Sequence, residues 1–258
     1  MNAASHAWIL NGGAWEATQG LPLGDRALRY GMALFETIGV RDGLPMFWDE
    51  HMATLRAAAE KLLGQNIGLS SPDLRGEATG VLRVYVTAGD GGPADPVTQP
   101  RIFALFEPMP PMRAEEQTAR LHPEAVAPFA GGRKTANYWM QCAAQAAAQA
   151  AGFDHALLAD HAGKLLSGAM GNIFLWLDGK LCTPALSLAV RPGVMRSWVM
   201  RQQAVVEAEI PFARLGEAGE VFLTNSRLGV MPLSCGPVVA GPVGAALRDA
   251  CRQEKIIP

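Results

Sequence analysis

Three features of this chain predict an α/β fold in two domains. Strand-like apolar runs alternate with helical stretches, a proline-rich break interrupts the chain near its middle, and the composition supports a sizeable core. The 258 residues are 49% hydrophobic with a formal net charge of -2, enough for one or two cores. The break is Glu107-Pro108-Met109-Pro110-Pro111-Met112, whose prolines fix φ and remove backbone donors. It sets a smaller N-terminal α/β domain over 1–110, a linker over 111–118 and a C-terminal domain over 119–258.

Taken in order, 7–10, 34–40 and 81–87 have the alternating or continuously apolar pattern of strands. The spacing of Met52, Leu55, Ala59 and Leu62 predicts a helix over 49–63, with Asp49 as its cap. Residues 101–106 form another strand before the break. Beyond it, 119–128 reads as a strand, 136–151 as a helix, and 156–159 and 172–177 as strands. Asp178-Gly179 signals a hairpin after 172–177. A helix over 192–206 begins with a proline near its first turn, 221–224 is a strand ending in a polar turn, and 243–252 is a closing helix.

Several functions are disfavoured. The 22 lysines and arginines are scattered without a run, which argues against a nucleic-acid surface. The uncharged stretch 135–153 contains Gln141, Gln145 and Gln149, too polar for a membrane span and suited to a buried helix. The start, Met1-Asn2-Ala3-Ala4-Ser5-His6, has no basic region before an apolar one, so a cytoplasmic location is expected. Cys142, Cys182, Cys235 and Cys251 lack paired spacing, and no His-Glu-x-x-His pattern occurs, so no metal site is expected.

The most informative stretch is Gly131-Gly132-Arg133-Lys134-Thr135-Ala136-Asn137-Tyr138. It places a lysine in a glycine-led turn just before the Ala/Gln-rich helix, with amide and aromatic neighbours. Lys61, Lys164, Lys180 and Lys255 have the neighbours of solvated loops, helix faces or tails. A lysine that must react as a free amine is helped by partial burial or by a nearby cation such as Arg133. A surface lysine after a turn is the bland alternative.

Other segments resemble one family in the same order along the chain. These are Gly24-Asp25-Arg26-Ala27-Leu28-Arg29-Tyr30-Gly31, the run Leu34-Phe35-Glu36-Thr37, Glu50-His51, Gly152-Phe153-Asp154-His155-Ala156, Gly171-Asn172-Ile173-Phe174, Gly193-Val194-Met195-Arg196 and Thr224-Asn225-Ser226-Arg227-Leu228-Gly229-Val230-Met231-Pro232. Together they resemble the fold-type IV pyridoxal-phosphate enzymes, the class IV aminotransferases and aminodeoxychorismate lyases. Gly-Val-Met-Arg and the Thr-Asn-Ser run are most similar to the lyase branch. The resemblance implies a D-amino acid aminotransferase-like architecture with a barrel-like C-terminal sheet carrying Lys134, and a homodimer acting on a small molecule. It also implies that Lys134 bonds pyridoxal 5'-phosphate and, once released, moves the proton at the substrate's α-carbon. Thr224, Asn225 and Ser226 would cradle the phosphate together with the backbone amides of Val194 and Met195 at a helix start. Asn137 and Tyr138 would orient Lys134 or the cofactor's phenolic oxygen, their alternative roles being a helix cap and a core aromatic. Taken alone, the Thr-Asn-Ser triplet is an ordinary turn.

Three departures stand out against that pattern. Ser167 occupies the place of a glutamate that keeps the cofactor's ring nitrogen protonated, so the ring would be a weaker electron sink. Thr54 replaces a phosphate-binding arginine, exchanging a charge-assisted bond of ~1.5–3 kcal/mol for a neutral one. Thr87-Ala88-Gly89-Asp90-Gly91-Gly92 carries Asp90 where D-amino acid transaminases have an arginine for the substrate carboxylate. Arg26, Arg29 and Arg101 are the remaining carboxylate-binding candidates, and each also suits a structural role.

Three functional readings follow. One is a lyase of the aminodeoxychorismate type, releasing pyruvate and 4-aminobenzoate, where aromatisation supplies part of the driving force and makes Ser167 tolerable. Another is a relative that has lost or repurposed the cofactor, as Thr54 and Ser167 suggest. A class IV aminotransferase acting on amino acids is a third possibility.

Overall fold

The computed structural model describes residues 6–75, 79–109 and 117–257. Most of the expected linker over 111–118 lies outside them. The chain divides into two compact units, one made of Met1–Pro111, Arg133–Asn137 and Pro258, the other of Met112–Gly132 and Tyr138–Ile257. Lys134 thus groups with the first unit, whereas the sequence reading assigned it to the C-terminal domain. The reason is local hydrogen bonding of its short strip, described below.

In the first unit, β1 (His6–Asn11), β2 (Ala14–Ala17), β3 (Ala33–Arg41), β4 (Leu44–Pro45), β5 (Gly80–Thr87) and β6 (Arg101–Pro108) form a sheet in the order β2-β1-β6-β5-β3-β4. All of its pairings are antiparallel. Because side chains alternate across a strand, one face presents Leu34, Ile38, Leu82, Val84, Val86, Ile102, Ala104 and Phe106. These pack with Met52, Leu55 and Ala59 of helix α2 (Trp48–Leu63) into one core. The opposite face carries Phe35, Thr37, Arg83, Tyr85, Phe103 and Leu105, the registered partners across β3, β5 and β6.

Helix α2 starts one residue before the expected boundary. Phe47, in the left-handed region at φ 54, precedes it without a side-chain cap. Asp49 lies inside the first turn with Glu50, where both carboxylates complement the positive end of the helix dipole rather than cap the helix. Buried His51 and Glu36 join the helix to β3 through a 2.8 Å contact.

In the second unit, β7 (Gln117–Leu121), β8 (His155–Ala159), β9 (Leu165–Gly168), β10 (Asn172–Leu177), β11 (Lys180–Pro184), β12 (Val205–Ala208), β13 (Val221–Asn225) and β14 (Gly229–Ser234) make a mixed sheet. Their order is β12-β11-β10-β13-β14-β7-β8-β9. The sheet curls so that the end of β9 meets the start of β10 at a Gly168–Gly171 bridge, the barrel-like shape that the sequence predicts. β7 ends at Leu121, seven residues before the expected boundary, because Pro123 removes a ladder donor. Helix α3 (Trp139–Ala150) buries Ala144 and Ala148 against Ala156, Leu158 and Leu166.

Helix α4 (Val194–Gln202) is shorter than the expected 192–206 because Val205 to Ala208 pairs with β11 as a parallel strand. Buried Arg196 pins α4 there, its Nη2 lying 2.9 Å from Glu207 and 3.3 Å from the Pro184 carbonyl. Helix α5 (Pro242–Gln253) closes the chain with Pro242 in its first turn.

Candidate active site

The strip Arg133–Asn137 is stitched along the start of β3. The Phe35 amide donates to the Lys134 carbonyl at 3.0 Å, the Ala136 amide donates to Ala33 at 2.8 Å, and Leu34 bridges Thr135. Asn137 extends the attachment, its Nδ2 donating 3.2 Å to the Gly31 carbonyl. Gly31 caps the short helix α1 (Arg26–Tyr30) at φ 68, and a Cβ there would come within 2.4 Å of Asn137 Oδ1. Glycine is therefore required twice over, by conformation and by contact. Asn137 does not cap α3, whose N-cap residue is Tyr138 without a side-chain cap bond.

With its backbone held this way, half-buried Lys134 donates through Nζ to Thr37 Oγ1 at 2.8 Å, and Nζ stands 4.3 Å from the Phe35 ring centroid. The amine thus has a hydroxyl partner on one strand and an aromatic ring as neighbour. Thr37 and Phe35 were not singled out as site residues from sequence. Their separation of about a hundred residues from Lys134 hides the contact, and only their shared strand face, two positions apart, could have indicated it.

The three candidate carboxylate binders are engaged with the loop after β5. Arg26 is buried and donates to the carbonyls of Ala88, Gly89 at 3.2 Å and Asp95 at 2.8 Å. Arg29 donates to Gly91 at 3.3 Å. Arg101 reaches fully buried Asp25 at 2.9 Å and Asp90 at 2.5 Å. Its hydrogen bond holds the Asp90 carboxyl below the usual carboxylate range. Thr54 is half-buried, with Oγ1 donating 3.0 Å to the Glu50 carbonyl of its own helix.

The second unit gathers an anion-suited group. Asn172 and Thr224 are registered partners on β10 and β13, and Asn172 Nδ2 donates 2.8 Å to the Arg191 carbonyl just before α4. Gly193, the residue preceding α4, has no side-chain cap, and a Cβ on it would lie 2.2 Å from Asn172 Oδ1. The first amides of α4, from buried Val194 and Met195, are therefore set beside these polar residues without a protein cap. Thr224 is 1% exposed and its Oγ1 has no hydrogen-bond partner. Asn225 shapes the following turn, Oδ1 accepting from the amides of Arg227 and Leu228 at 3.0 and 2.8 Å. Ser226 is half-buried in the same turn, and Ser167 is half-buried on β9 opposite Leu158. An unpaired buried hydroxyl with an uncapped helix start fits a phosphate, and a half-buried lysine amine fits an aldehyde. Neither Ser167 nor Thr54 can supply charge to such a group.

This two-unit architecture and lysine-bearing strip define an aminotransferase-like enzyme fold. The chain belongs to the amino-transferase class IV family, whose model matches residues 33–234. It is 28% identical over 233 residues to a putative branched-chain-amino-acid aminotransferase of Methanocaldococcus jannaschii, covering 81% of this chain and 80% of that one. It is 27% identical over 242 residues to an aminodeoxychorismate lyase of Vibrio harveyi, covering 83% and 86%. The crystal structure of 4-amino-4-deoxychorismate lyase from Pseudomonas aeruginosa superposes with a TM-score of 0.83 at 26% identity, covering 97% of this chain and all of that one.

Proposed function

We propose that this chain is a pyridoxal-phosphate-dependent lyase of the aminodeoxychorismate type, a homodimer working in the cytoplasm. The observation that carries the reading is the half-buried Lys134 amine, fixed by backbone bonds to β3 and held 2.8 Å from Thr37. The bound cofactor would supply an electron sink for the pair left when a bond at the substrate's α-carbon breaks.

In this reading Lys134 holds the cofactor covalently and later carries the proton at the α-carbon. Thr37 keeps the amine in register by hydrogen bonding. Thr224, Ser226 and the amides of Val194 and Met195 would bind the phosphate, and Asn225 shapes the turn. Asn137 holds the lysine strip through Gly31, and Tyr138 follows at the head of α3.

The 88–95 loop favours a lyase over a D-amino acid transaminase, because Asp90 and the carbonyls it carries engage Arg26, Arg29 and Arg101. Arg101, partly exposed, is the one of the three best placed to exchange Asp90 for a substrate carboxylate. Ser167 would offer the ring nitrogen only a hydroxyl, which suits an elimination aided by aromatisation better than a full transamination.

The test is absorption spectroscopy of the purified protein with pyridoxal phosphate, followed by borohydride reduction and peptide mapping. A visible band and a phosphopyridoxyl group on Lys134 are expected, together with release of pyruvate from 4-amino-4-deoxychorismate. No adduct would favour the cofactor-free reading that Thr54, turned to its own helix, and Ser167 support. An adduct with amino-group transfer between amino acids, but no pyruvate from that substrate, would favour a class IV aminotransferase.

A further inference from the structure

We infer that the outer face of the first-unit sheet is a ring-binding wall, with Tyr85 and Phe103 as specificity-determining residues. Phe35, Tyr85 and Phe103 are registered neighbours on β3, β5 and β6, one aromatic ring on each of three adjacent strands. Phe35 and Tyr85 stack with centroids 5.5 Å apart and planes 18° from parallel, a geometry worth more than its apolar area alone. The row begins at the reactive amine, since Lys134 Nζ is 4.3 Å from the Phe35 centroid. Tyr85 and Phe103 are only half-buried, although the opposite sheet face is filled by the α2 core.

Charge defines the rest of the ligand. Arg83 lies on the same face two residues from Tyr85, is registered with Thr37, and is partly exposed in its ion pair with Glu107. A row of aromatic rings flanked along one side by an amine at Thr37 and a guanidinium on the neighbouring strand is complementary to a flat, unsaturated ring bearing a carboxylate. A short aliphatic amino acid offers the row no ring to stack. This assignment rests on the lysine-centred reading above and adds the residues that select the ring.

The test uses calorimetric titration with 4-aminobenzoate as ring probe and L-valine as aliphatic probe. It is run on the purified protein as isolated and after loading with pyridoxal phosphate. Wild type is expected to bind the ring probe at least tenfold more tightly. Tyr85→Val and Phe103→Leu are each expected to weaken ring binding about tenfold, the worth of one good aromatic contact, with L-valine unchanged. Tyr85→Phe keeps the stack and should behave as wild type, and thermal melts identify any variant that fails to fold. If Tyr85→Val does not fold, Phe103→Leu alone carries the comparison. No ring preference in wild type, or equal weakening for both probes, overturns the assignment. Cofactor adduct formation on Lys134 is read separately, so a lost cofactor site and an absent ring wall give different results.

Discussion

At the residue scale, the lysine depends on two small contacts made far from it in sequence. Replacing Thr37 by valine removes the hydroxyl that accepts from Lys134 while keeping the side chain's shape. A hydrogen bond is worth ~0.5–1.5 kcal/mol net, so Thr37→Val is expected to slow cofactor attachment to Lys134 several-fold through lost positioning of the amine. Thr37→Ser should stay near wild type, both followed by borohydride trapping over time. Gly31→Ala meets a left-handed backbone and a 2.4 Å approach to Asn137 Oδ1, and should cost ~1–3 kcal/mol in denaturant unfolding. Lys134 is singled out in the sequence by its unusual neighbours, and Thr224, Asn225 and the start of α4 by motif order. Thr37 is not, because a threonine in an apolar strand looks like ordinary sheet material until register sets it opposite the amine. Arg26 and Arg29 show the converse. Their motif was plain, but the carbonyls that occupy them belong to a loop whose path no local pattern encodes.

Two buried acids mark the element scale. Glu36 and His51, 2.8 Å apart and nearly inaccessible, tie β3 to α2. His51→Ala removes a buried hydrogen-bond partner of Glu36 and opens a cavity, so it should cost ~1–3 kcal/mol by urea unfolding. Glu220 lies before β13 with Oε2 accepting from the Val243 and Gly244 amides at the head of α5, while its Oε1 is buried without a partner. Burial pushes its carboxyl above the usual value near 4.5, opposed by those backbone bonds. The folded state therefore holds this proton more tightly than the unfolded state. The stability from this group is complete below the ordinary carboxylate value and is lost as pH rises through the folded one. Wild type should lose stability relative to Glu220→Gln as pH rises above about 4.5, checked by urea midpoints across pH. Long periodic elements such as α2, β3 and β5 were legible because one face is uniformly apolar. β9, β12 and β14 were not, since each is a short run whose strand character comes from a neighbour.

For the whole molecule, a bound cofactor should act as a stabilising ligand. At a hundredfold excess over its dissociation constant pyridoxal phosphate would add ~2.7 kcal/mol, seen as a rise in Tm. Lys134→Ala and Thr224→Val should each reduce that rise, and a flat response in wild type would remove the cofactor from the reading. The proline break does not sort every residue between the two compact units, because backbone hydrogen bonding outranks sequence proximity. Arg133–Asn137 returns to β3 after the chain has already laid down β7. A ribosome that has released the first hundred-odd residues has therefore not released a finished first unit. Its six strands are all encoded by then, but the β3 margin waits for a segment encoded later, so the amine reaches its place on the sheet only in a late step of synthesis.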